Sequence, residues 1–179
     1  MSLLDFEGLA NNNDIPDGYF SLKWSNFLSL EPSGSDYIGS GYANALHSGD
    51  NIAFNNDGAP ATFRSPKSDF DFQSGYFAAI ADNTRITFVG FDDSVQVAKR
   101  TIVIDNEQTF LRFGHAFNSV DKIKIMTSGV QLAMDDLKIL FEESAPADAA
   151  THHTALVNHV PAELYGNDLY AAAPADWVI

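Results

Sequence analysis

The segment VQLAMDDLKILF, residues 130–141, alternates apolar and polar side chains with the two-residue period of a strand. Along it Ala133, Asp135, Leu137, Ile139 and Phe141 share one parity, which puts the Asp135 carboxylate on the face that otherwise reads as core. A buried carboxylate without partners costs several kcal/mol, so Asp135 needs either a cation or a dense set of N–H donors. A hard, oxygen-seeking ion such as calcium would satisfy it, and so would backbone N–H groups at a strand bulge.

Flat aromatic rings are the second chemical resource. Tyr19, Tyr37, Tyr42 and Tyr76 fall in or beside loop-like stretches. Exposed, with Asn, Asp or Arg nearby, such rings could stack on the C–H faces of a pyranose. Packed, each needs a hydrogen-bond partner for its hydroxyl. Trp24 shares parity with Phe20 and Leu22 and is expected in the core. His152, His153 and His159 cluster near the C-terminus without the His-x-x-x-His spacing of a helical metal pair, while His47 and His115 stand apart.

Enzyme signatures are missing from the sequence. There is no G-x-S-x-G elbow, P-loop, H-E-x-x-H or dinucleotide fingerprint. Acidic residues are so numerous that carboxylate pairs of glycosidase type arise by chance and discriminate nothing. The expected protein is not an enzyme.

These residues must be positioned by strands. Leu4 and Phe6 alternate with Asp5 and Glu7, and Phe20, Leu22 and Trp24 with Ser21 and Lys23. Ile52 and Phe54, then Phe70 and Phe72, repeat the pattern. Residues Arg85–Phe91, Val95–Ile104, Lys122–Met126 and Val130–Phe141 are the clearest strands. Clusters such as NNND, PDG, PSGSD and NNDG separate them, and no helix-length 3.6-residue period appears before residue 144. About nine or ten short strands with such turns predict an all-β fold, an antiparallel β-sandwich.

Composition divides the chain. All 14 phenylalanines and all 10 Lys and Arg residues precede residue 144. Residues 3–143 form the expected sandwich, and 144–179 an Ala-, Pro- and His-containing tail or linker, whose apolar end Trp177, Val178 and Ile179 could dock or drive self-association. The net charge of −14 argues against nucleic acid and anionic membrane surfaces as partners. No apolar run is long enough to span a membrane, and the acidic start MSLLDFEGL does not read as a signal peptide.

Once the strands are placed, the blocks LLDFEGL, IPDGYFSLKWSNF, GSGYANALHSGDNIAFN, FDFQSGYFAAI, ITFVGFDD and QLAMDDLKI fall in an order that resembles a known secreted domain. It occurs in exosortase-sorted (PEP-CTERM) bacterial proteins and in some fungal secreted proteins, and the likeness covers roughly residues 3 to 142. The chain carries no Pro-Glu-Pro sorting motif. The resemblance implies a jelly roll akin to carbohydrate-binding modules, secreted or displayed at the cell surface. It also implies a structural calcium where an acidic residue near the first strand meets an Asp of the last. The matching residues are Glu7 and Asp135, with Asp5, Asp50 or Asn51 completing the shell. The function expected is calcium-stabilised glycan binding on tyrosine rings. Its rivals are a structural or adhesive surface protein working through a sheet edge or the tail, and a hydrolase on the same sandwich.

Overall fold

A computed structural model describes residues Ser2–Glu142, and within them alternation of apolar and polar side chains governs the architecture. Twelve strands form: β1 (Ser2–Leu4), β2 (Asn13–Asp14), β3 (Lys23–Ser25), β4 (Phe27–Leu30), β5 (Ile52–Asn55), β6 (Ala61–Arg64), β7 (Phe70–Ala79), β8 (Thr84–Asp92), β9 (Val95–Ile104), β10 (Thr109–Arg112), β11 (Lys122–Met126) and β12 (Leu132–Phe141). One five-residue helix, α1 (Gly41–Ala45), and short 3-10 turns complete the described elements.

The strands pair antiparallel in two sheets, as the sequence predicts. One runs β10-β7-β12-β5-β4-β2, with β1 also on β12, and the other β3-β6-β11-β8-β9. Their facing sides bury a core rich in phenylalanine: Phe63, Phe70, Phe72, Phe77 and Phe88 are all fully buried. Trp24 joins this core as expected, donating its indole N–H to the Tyr19 carbonyl at 3.1 Å. A smaller cluster, Leu30, Ala45, Ile52, Phe54, Ala78 and Ala133, lies on the outward side of the seven-stranded sheet. There α1 and its flanking loops close over the sheet.

Two local expectations change, and one short element is added. The run Phe20–Trp24 is not one strand, because Phe20 and Ser21 take positive φ in a 3-10 turn and pairing begins at Lys23. A short helix does form before residue 144: Ser40 caps α1 through its hydroxyl, which accepts the Ala43 N–H. The parity assumed for the last strand also breaks. Asp136 has φ 48° and the register with β7 shifts between Asp135 and Lys138, which marks a β-bulge. Leu132, Met134, Leu137 and Ile139 therefore all enter the main core, whereas Ala133 belongs to the outer cluster. Asp135, opposite Tyr76 across the sheet, follows Ala133 outward and leaves the face of Leu137 and Ile139.

The tail 144–179, the self-association expected of it, and His152, His153 and His159 lie outside the described residues.

Candidate binding site

The bulge creates a gap along β12. On the edge away from β7, that strand pairs with β5 at Ala133 and Met134 and with β1 at Leu137–Ile139. Between these contacts, Asp135 and Asp136 have no strand partner on that edge, and the loop His47–Asn51 fills the opening. Asp135 Oδ2 accepts the backbone N–H groups of His47 (2.8 Å) and Ser48 (3.0 Å), and Oδ1 that of Asp136 (2.7 Å). Asp136 Oδ1 accepts the Ser48 hydroxyl at 2.9 Å. The other end of the loop is held by Glu7, whose Oε1 accepts the N–H groups of Asp50 and Asn51, each at 2.9 Å. Asp5 steadies Glu7 by accepting its N–H at 3.2 Å.

Glu7 and Asp135 therefore grip one loop from both ends, and β1 does lie beside β12. The partners of Glu7 Oε1 and of both Asp135 oxygens are N–H donors, whereas a calcium ion takes six to eight oxygens. Asp50 is exposed and enters the clamp through its backbone. Asp135 is fully buried, and burial outweighs its three N–H bonds, pushing the carboxyl up to about 6.

The outward side of the seven-stranded sheet carries two clefts. The first, about 370 Å³, opens along the edge strand β10 and is lined by residues that include Gln73, Phe110, Arg112, His115, Asn118 and Lys138. Phe110 is 44% exposed, since Leu111 takes the core side of this strand. A ladder of flat groups leads up to it. The His47 ring stacks on Tyr76 at 3.4 Å, Tyr76 lies 4.9 Å from Phe110, and the Arg112 guanidinium sits 5.5 Å over Phe110. The carboxylate in this lining is Asp71, which accepts the Ser119 N–H at 3.1 Å.

The second cleft, about 240 Å³, is lined by Tyr37 and Tyr42 together with Asn12, Leu28, Leu30, Phe54, Asn56 and Gln131. The two tyrosine rings meet edge to face, and Tyr42 donates its hydroxyl to Gln131. Burial raises the Tyr42 phenol above its ordinary value.

The four tyrosines thus part company. Tyr37 and Tyr42 line the second cleft, and Tyr76 sits in the ladder beside the first. Tyr19 packs against Phe6, Phe20 and Trp24 with its hydroxyl buried, which together with the nearby Asp5, Glu7 and Asp135 charges raises its pKa. Sequence reasoning missed Phe110, Arg112 and Lys138. The signal was present in TFLR, where Phe110 and Arg112 share the parity opposite Leu111.

No protein-family model matches the chain, and no curated protein matches it. Among solved structures it is similar to several carbohydrate-binding modules. One is TmCBM61 in complex with β-1,4-galactotriose, at 10% identity over 68% of this chain and 87% of the other, with a TM-score of 0.39. A second is the family 29 module CBM29-2, at 12% identity over 82% and 97% of the two chains, with a TM-score of 0.43. A third is the tandem CBM22-1–CBM22-2 from Paenibacillus barcinonensis, at 12% identity over 84% and 47%, with a TM-score of 0.44.

Proposed function

We propose that this chain is a non-catalytic glycan-binding module, acting outside the cell, that takes its ligand in the cleft along β10. The observation that carries the proposal is Phe110, an exposed ring on a cleft otherwise lined largely by hydrogen-bonding side chains. A sugar presents apolar C–H patches and hydroxyls together, so a receptor needs an aromatic surface and polar groups side by side. Arg112 offers a rigid fork of donors, and the amides of Gln73 and Asn118 both donate and accept. One carboxylate among the described lining residues supports binding without hydrolysis, because glycosidases work with a carboxylate pair. The loop clamp of Glu7 and Asp135 does the work expected of calcium.

A polysaccharide screen on metal-stripped protein, with calcium and with chelator, tests both parts. Phe110→Ala and Arg112→Ala are each expected to weaken binding about tenfold, the loss of roughly one good contact, with little change in melting temperature. Calcium is expected to change neither affinity nor melting temperature. Variants that bind as the wild type does would remove the cleft. A melting temperature raised several degrees by calcium would replace the N–H clamp with a cation.

A further inference from the structure

We infer that the outward face of the five-stranded sheet is a binding surface for an acidic polysaccharide, separate from the cleft on the opposite sheet. Its five strands hold seven of the chain's 10 Lys and Arg residues and one acid, Asp92, within a protein of net charge −14. Six of the seven cations sit at outward positions, alternating with core residues. Lys23 flanks Trp24, Arg64 follows Phe63, Lys122 and Lys124 flank Ile123, and Arg85 precedes Ile86. Lys99 follows the buried Ala98. The seventh, Arg100, turns inward over the Phe113 ring.

Strand register sets these cations in rows. Lys23, Arg64 and Lys122 stand opposite one another on β3, β6 and β11. In the next row Lys124 on β11 and Lys99 on β9 flank Val89 of β8. Neighbouring strands lie about 5 Å apart and alternate residues about 7 Å apart along a strand, so positive charge recurs at roughly that spacing in both directions. A linear polymer with a carboxylate or sulfate on every ring or every second ring meets several cations at once.

The rest of the face selects among polyanions. Ser25 and Thr62 place hydroxyls beside the cations, able to pair with sugar hydroxyls, while the Thr87 and Thr101 hydroxyls bond each other at 3.0 Å. The aromatic residue here, Phe91, lies under the Lys122 ammonium at 4.2 Å, so base stacking finds no free ring. Bulk counts as well. A thin chain lying on the face is within about 8 Å of the cations, while Asp93 and Asp121 adjoin its Lys122 end. A DNA duplex or a vesicle faces the whole molecule and its net negative charge.

The test is binding of the full chain to polygalacturonate, with neutral galactan, duplex DNA and phosphatidylglycerol vesicles as comparators. At about 50 mM salt, polygalacturonate is expected to bind and the other three to bind at least tenfold more weakly, with affinity falling steeply by about 300 mM salt. The double variant Lys122→Gln, Lys124→Gln should lose about tenfold in affinity, since each cation removed weakens attraction to the polyanion. Both residues lie on the solvent side, so its melting temperature reports whether the fold is kept; Lys23→Gln, at the sheet edge, serves as the second variant. Phe110→Ala, in the cleft, should leave polygalacturonate binding intact. The inference is overturned if neither Gln variant weakens binding, if DNA or vesicles bind equally well, or if Phe110→Ala abolishes binding. It is also overturned if the protein self-associates reversibly at low salt through the same lysines, which would give the face to a second copy.

Discussion

Asp135 concentrates the chemistry of individual residues in this protein. The buried carboxyl is raised from an ordinary 3.8 to about 6, so the folded chain holds its proton more tightly than the unfolded chain does. Between those values the native state binds more protons than the denatured state, and this group's contribution to stability falls as pH rises, levelling off above about 6. Asp135→Asn removes that titration. It also turns an amide N–H₂ towards at least one of the three N–H donors, at a cost of about 1–3 kcal/mol. In urea denaturation, the advantage of wild type over Asp135→Asn should be larger at pH 4 than at pH 7. An advantage that is constant or grows with pH would mean that the N–H bonds outweigh burial.

At the scale of elements, the loop between β4 and β5 is held by devices from four directions. Besides the clamp of Glu7 and Asp135, Asn44 donates to the Asn106 carbonyl at 2.8 Å, and Gln108 donates to the carbonyls of Asn44 and Leu46 at 3.0 and 3.1 Å. The helix docks on β7 through Gly41, where a Cβ would overlap the Ala79 carbonyl. That close approach lets Ala45 and Tyr42 seal the outer cluster over Phe54 and Ala133. Gly41→Ala should push α1 off the sheet and cost about 1–3 kcal/mol, as overpacking generally does. It should also loosen the second cleft while leaving the main core intact. Thermal melting together with hydrogen exchange resolves the two effects: enhanced exchange is expected at residues 41–54 and little change in β8 or β11.

Over the whole molecule, charge and exposed edges are distributed unequally between the sheets. Strand β9 is a ten-residue edge whose outward side carries Val97, Lys99, Thr101 and Val103, with Val97 48% and Val103 57% exposed. A long edge with exposed valines invites strand addition, and lysine on an edge opposes it. Lys99→Val should therefore promote concentration-dependent association, read as a rising sedimentation coefficient, with stability changed by less than about 0.5 kcal/mol as for an ordinary surface site. A monomeric variant would show that twist or the neighbouring Arg100 suffices to protect the edge.

Much of this was legible in the sequence because strand periodicity is local. Alternation together with the turn clusters identified an antiparallel sandwich, and alternation assigned Trp24 to the core and marked Lys122–Met126 as a strand. It also singled out Asp135 as a carboxylate that needs partners, and the family resemblance added Glu7. What satisfies them was decided by tertiary structure. One residue at positive φ, Asp136, shifts the parity of β12 and turns Asp135 to the outer side, where a loop more than 80 positions earlier in the chain supplies the donors. The cleft along β10 and the rows of cations arise in the same way, because β10 meets β7, β3 meets β6, and β6 meets β11 only through non-local pairing. Register across strands far apart in the chain leaves no trace in the spacing of residues along any one of them.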